Sequence, residues 1–265
     1  MPFAELNDVT LFYTDDGTGG PPVLFVHGWA CDSHDWIFQL PTFVQHHRCI
    51  AVDNRGHGSS SVTEGGYRPR ELADDLAALI RHLGLGPIVA VGHSLGGAIV
   101  AALAVEHPSL VRAVVEVDPA YGYDGPRAAA VHAALPRHTG PDCVDHAAAT
   151  LSSLDGPSTP PALNTWHRRR ALGMPAHAVA DTQRGLWDVP DQFGFRPASD
   201  SYVARRRCPV LTFTLSEKWG SWETAVFSDP YSRLVAWEGC GHWLHQERAD
   251  DFNELVLSWI AGLPA

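Results

Sequence analysis

Short apolar runs alternate with amphipathic stretches through the first half of the chain. "PPVLFVHG" (21–28), "HRCIAVDNRGHG" (47–58), "PIVAVG" (87–92) and "VRAVVEVD" (111–118) each hold a brief block of mostly aliphatic residues that stops at glycine or aspartate. That is the pattern of strands buried on both faces. Between them, "ELADDLAALIRHLGL" (71–85) sets leucines at 72, 76, 79 and 83 on one side, and "GGAIVAALAVEHP" is apolar at nearly every position up to Pro108. Both predict helices, the first amphipathic and the second buried all round. The rhythm returns late, with strands predicted at "CPVLTFTL" (208–215) and "SRLVAWEG" (232–239) and a last helix at "ADDFNELVLSWIAGL". Buried strands alternating with helices imply an α/β fold, a mostly parallel central sheet with helices on both faces.

Between Asp118 and Cys208 this rhythm stops. The segment carries many prolines, alanine-rich pieces such as "GPRAAAVHAAL" and the basic "WHRRRAL", and no run in it reads as a buried strand. The expected organisation is a core from 1–118 and 208–265 with a helical cap inserted over 119–207. A cap placed there would lie at the carboxyl edge of the sheet, where open α/β sheets bind ligands. The arginines of "WHRRRAL" are expected on a solvated helix face.

Composition narrows the partners more than the fold. A formal charge of -11 argues against nucleic acid or an anionic membrane as the main partner and leaves a small-molecule substrate. No apolar run reaches the ~18 to 20 residues that span a bilayer, and "MPFAELNDV" has neither a basic start nor an apolar core, so a cytoplasmic chain is expected. Cys31, Cys49, Cys143, Cys208 and Cys240 are scattered with no CxxC pair, which suits reduced thiols. His242 and His245 do not have zinc-helix spacing, and no phosphate loop or dinucleotide fingerprint is present. Neither metal nor cofactor is expected.

The chemistry gathers around "GHSLG" (92–96), where a serine stands between glycines at a strand-to-helix turn. A turn that tight excludes flanking side chains, lifts Ser94 above the sheet and sets it at a helix N-terminus, whose dipole favours developing negative charge. A serine hydroxyl needs a base to take its proton, and the base needs an orienting acid. His242, in "EGCGHWLHQER", follows a predicted strand and a glycine-rich turn and is the expected base. His245 is expected at the surface or in a supporting position.

With "HGW" (27–29), "DNRGHGSS" (53–60), "GHSLGG" (92–97) and "GCGHW" (239–243) in place, the sequence resembles the α/β-hydrolase fold superfamily. The resemblance implies an oxyanion hole from the backbone N–H groups of Trp29 and Leu95, and a structural role for Asp53, Arg55 and His57. It also exposes a departure. Members usually carry the acid just after the strand matching "CPVLTFTL", where this chain reads "TLSEKWGSW". Lys218 stands near the expected position and Glu217 is one residue off. Asp118, closing "VVEVD", is the favoured acid, because a strand-end carboxylate beside the elbow is well aimed at a histidine in the mouth of the sheet. Branches such as haloalkane dehalogenases and certain lipases also place theirs after that strand, and Glu217 is the alternative.

That placement also resembles the cofactor-independent 3-hydroxy-4-quinolone 2,4-dioxygenases, in which a His/Asp pair deprotonates an aromatic hydroxyl. Two functions therefore stand open. The first is a serine hydrolase of esterase or lactonase type using Ser94, His242 and Asp118 on a small apolar or aromatic carbonyl substrate. The alternative is a dioxygenase with His242 as base and Ser94 as accessory. Trp29, Trp36, Trp166 and Trp187, with His93 inside the elbow, are the expected substrate-binding residues, because aromatic walls suit a flat apolar substrate.

Overall fold

The computed structural model describes residues 2–264. Its strands are β1 (Phe3–Leu6), β2 (Val9–Asp16), β3 (Val23–Val26), β4 (Cys49–Val52), β5 (Ile88–His93), β6 (Val111–Val117), β7 (Val210–Thr214) and β8 (Arg233–Ala236). They form one sheet in the order β1-β2-β4-β3-β5-β6-β7-β8. From β4 to β8 every pairing is parallel; β1 and β2 extend the edge antiparallel. The expected mostly parallel sheet is present, and the β1–β2 hairpin adds to it two strands that the apolar-run pattern does not predict. Its strands alternate at the sheet edge, with Ala4 and Leu6 buried and Phe3 and Glu5 exposed, so they lack the continuous apolar block of the central strands.

The helices are α1 (Leu40–Phe43), α2 (Pro69–His82), α3 (Leu95–Glu106), α4 (Gly125–His138), α5 (Cys143–Ser153), α6 (Pro161–Leu172), α7 (Ala176–Trp187), α8 (Ala198–Val203), α9 (Glu217–Gly220), α10 (Leu244–Glu247) and α11 (Ala249–Ala261). α2 begins with Pro69 in its first turn and with Glu71 accepting from the Arg68 amide at 2.9 Å, a start that satisfies an otherwise orphaned donor. Its Leu72, Leu76 and Leu79 are buried. α3 is buried on all sides, as its nearly all-apolar sequence requires. Apolar side chains of α2 and α3 pack on one face of the sheet. Phe43 from α1 and Phe252, Val256 and Trp259 from α11 pack on the other, against Phe25 and Phe213.

Between β6 and β7 come α4 to α8, and no strand beyond an isolated Tyr123–Phe195 bridge among the described residues. This helical segment is tied to the core at several points. Trp29 Nε1–H donates to Val179 O at 3.1 Å, and the His242 amide donates to Leu154 O at 2.9 Å. No helix among the described residues is long and apolar enough to cross a membrane.

Candidate active site

The turn from β5 to α3 holds Ser94 at φ 54° and ψ −115°, a conformation an L-residue adopts only under constraint. The glycines explain how the backbone closes so tightly. A side chain at Gly92 would overlap the Gly96 carbonyl, and one at Gly96 would overlap the Val26 carbonyl on β3. The strained residue is held by the Ser94 amide donating to Val117 O and the Ala120 amide donating to Ser94 O, both at 2.9 Å. Gly92→Ala is therefore expected to destabilise the fold by about 1–3 kcal/mol, the usual range for overpacking, since the clash is with backbone that has no rotamer to escape into. A urea titration checks this; an unchanged midpoint would contradict it.

The end of β6 supplies the acid. Asp118 also sits at positive φ (40°), its amide anchored to Phe213 O of β7 at 2.8 Å. Its Oδ2 accepts from His242 Nδ1 at 2.6 Å, with both side chains nearly buried. That bond fixes the tautomer of His242 and leaves Nε2 for proton traffic. The loop carrying His242 is held from beneath, because His93 Nε2 donates to the His242 carbonyl at 3.0 Å.

Ser94, Leu95, Asp118 and His242 share one cavity of about 400 Å³ with Trp29 and Trp187. The Leu95 amide, first in α3, has no acceptor within its own helix. Nor does the Trp29 amide find one among the described residues. Trp29 and Leu95, whose amides lack such acceptors, both line the cavity that holds the serine.

Other expected site residues lie elsewhere. Glu217 opens α9 with its side chain exposed, and it is the carboxylate of Asp118, not of Glu217, that meets His242. Trp36 is fully buried on the opposite face of the sheet against Phe25 at 5.2 Å, a core residue rather than a pocket wall. Trp166 lies 36% exposed on α6 beside His34, outside the cavity. His93 supports His242 from within the core and does not line the cavity.

One buried cluster overturns the solvated expectation for Arg170 and the surface alternative for His245, leaving its supporting one. His245 is fully buried rather than at the surface, with its ring 4.8 Å from His93 and 4.5 Å from Trp36. Burial pushes its pKa down to about 3, so it is a neutral packing group. Arg170 of "WHRRRAL" does not face solvent: it turns inward to Asp32 at 3.0 Å and to the fully buried Asp35. Burial favours the neutral form of Asp35, but Arg170 opposes it and holds the carboxyl below its ordinary range. A charged helix stripe in sequence does not reveal which one of its members finds a buried partner.

A family model described as the alpha/beta hydrolase fold matches residues 21–154, just over half the chain. The chain belongs to this family. It is similar to a non-heme haloperoxidase of Rhodococcus erythropolis, 46% identical over 109 residues that make up 40% of this chain and 39% of that protein. It is also similar to the 2-(acetamidomethylene)succinate hydrolase of Mesorhizobium japonicum, 40% identical over 114 residues, 43% of this chain and 41% of that one. These matches span about two-fifths of the length of the curated relatives. An esterase from Exiguobacterium antarcticum superposes with a TM-score of 0.85 over 98% of this chain and 99% of its own, at 20% identity, a likeness of fold. None of these favours the dioxygenase alternative.

One wall of the cavity in this α/β-hydrolase-fold chain is not apparent in the sequence. Arg127, Ala130, Val131, Ala134 and His138 all line it, and their spacing is that of one face of a helix. The periodicity was present in "GPRAAAVHAALPRH", but alanine is so weakly apolar that the face did not stand out. Trp219, 40% exposed on α9, stands at the rim.

Proposed function

We propose that this α/β hydrolase is a serine hydrolase of esterase or lactonase type, acting on a small carbonyl substrate in a largely apolar pocket. Ser94 Oγ attacks the carbonyl carbon and His242 Nε2 takes its proton. Asp118 holds the imidazole in position and stabilises the imidazolium. The Trp29 and Leu95 N–H groups stabilise the oxyanion, and His242 then returns the proton to the leaving alcohol. Water repeats the sequence on the acyl-serine. The observation that carries this reading is the 2.6 Å His242–Asp118 bond opening on the same cavity as the constrained Ser94.

Mixing the protein with a p-nitrophenyl ester is expected to release a burst of nitrophenolate stoichiometric with enzyme, and an organophosphonate is expected to label Ser94. Folded protein that gives neither burst nor label would overturn the proposal. Oxygen uptake with a 3-hydroxy-4-quinolone would direct it to the alternative chemistry.

A further inference from the structure

We propose that Arg127 reads a carboxylate on the substrate, so that the preferred carbonyl compound is an anionic one. This deepens the hydrolase reading above and rests on it for the identity of the site. Arg127 is the one arginine or lysine among the described residues lining the cavity. Its guanidinium lies over the Tyr123 ring, 3.8 Å from the centroid, and near the Trp219 ring at 4.8 Å. Arg170, Arg184 and Arg196 of the helical segment are committed to Asp32, Asp181 and Asp200, while Arg137, Arg168 and Arg169 do not line the cavity. Arg127 forms no such ion pair among the described residues. Asp118, which shares the cavity, is engaged by His242, and Asp124 at the start of α4 pairs with Arg196.

Helix stability does not account for an arginine at this position. Arg127 is the third residue of α4, where a cation adds to the positive end of the helix dipole instead of offsetting it. The two aromatic faces hold the guanidinium in place by cation–π contact, and no carboxylate among the described residues pairs with its N–H groups. A planar fork held in advance is the arrangement that binds a carboxylate with two parallel hydrogen bonds at low entropic cost. The face of α4 from Arg127 to His138 spans roughly 16 Å at the helical rise. A substrate placed along it has its charged group at the Arg127 end and its apolar body against Val131 and Ala134.

The test uses two matched ester pairs, one with the charge on the acyl side and one with it on the alcohol side. They are p-nitrophenyl hemisuberate against p-nitrophenyl octanoate, and acetoxybenzoate against its methyl ester. For at least one pair, the wild-type protein is expected to favour the anionic member by about 10-fold or more in kcat/KM, chiefly through KM. Arg127→Gln should erase that ratio and Arg127→Lys restore part of it. No charge preference in either pair, or a ratio that survives Arg127→Gln, would overturn the proposal. So would an Arg127→Gln variant that loses kcat equally on both members, since that is the signature of a countercharge for Asp118.

A binding measurement separates this from the hydrolase reading. Ser94→Ala protein is titrated with phenylbutyrate and with phenylbutyramide, following tryptophan fluorescence, since Trp29, Trp187 and Trp219 line the cavity. Tighter binding of the anion that vanishes when Arg127→Gln is added, alongside a wild-type protein that turns over neither ester pair, would leave the Arg127 assignment standing and remove the hydrolase. Ester turnover without charge preference, together with equal binding of acid and amide, would do the reverse.

Discussion

Asp118→Asn is expected to lower kcat on a p-nitrophenyl ester by about four orders of magnitude, while Glu217→Gln leaves it within about twofold. The difference lies in which carboxylate meets the imidazole. An asparagine in place of Asp118 would present either an amide donor to His242 Nδ1, forcing the wrong tautomer, or an uncharged oxygen that no longer stabilises the imidazolium. Glu217 is exposed on α9 and touches nothing in the reaction. His242→Ala and Ser94→Ala should each cost at least as much as Asp118→Asn. The double variant should be scarcely worse than either, because the residues act as one unit. Steady-state kinetics with active-site titration checks this. A Glu217→Gln variant as damaged as Asp118→Asn would return the acid to the strand matching the ordinary family position.

The parts legible in sequence were those dictated by backbone. The β5–α3 turn cannot be built without glycine at 92 and 96, because each abuts a carbonyl, so the chemistry of the turn is written in residue types. Four central strands and α3 were equally readable, since burial on every side demands unbroken aliphatic runs. His242 is legible from its place after a strand and a glycine-rich turn, late in the chain. Preferring Asp118 over Glu217 rested on where a strand end can aim a carboxylate, and the 2.6 Å bond to His242 lies there.

What sequence did not disclose were partnerships between distant segments. Nothing in "SHDW" and "WHRRRAL" announces that Asp35 and Arg170 meet in the interior, 135 positions apart in the chain. The tryptophans misled for a related reason. Trp29 and Trp36 stand seven residues apart in similar surroundings, yet the intervening turns send one to the cavity and the other beneath the sheet. Composition near a motif says that aromatic area will be buried and not on which face.

The largest effect on stability is expected from Arg206, through a buried cluster directly beneath the acid. Arg206 bonds Glu116 at 2.8 Å and Glu223 at 2.7 Å, and all three side chains are essentially sealed from solvent. Tyr121 Oη lies 2.6 Å from Glu116 Oε2 and 2.6 Å from Glu223 Oε1. A phenol has one proton, so it donates to one carboxyl and must accept from the other. Burial raises the pKa of Glu116 to about 7, with Arg206 opposing and Glu223 reinforcing the rise, so below that pH Glu116 holds the second proton. Removing the single cation with Arg206→Leu leaves two facing carboxyls unpaired and should cost about 3–5 kcal/mol of stability. The pH dependence follows from the same proton. Between the ordinary glutamate value of 4.5 and about 7, the folded chain holds a proton at Glu116 that the unfolded chain has released. Stability from this group is therefore complete below the ordinary value and is lost as pH rises through 7, by roughly 3 kcal/mol in all. Glu116→Gln, whose amide can donate to Tyr121 in place of the carboxyl proton, should flatten that decline while leaving stability near pH 5 little changed. Urea titrations of wild type and variant from pH 5 to 8 read the slope, and a variant that declines as steeply as wild type would place the proton elsewhere. Because Asp118 follows Glu116 by two residues on the same strand end, any loosening of this cluster should also show as lost alignment of His242, read as a fall in kcat before the protein unfolds.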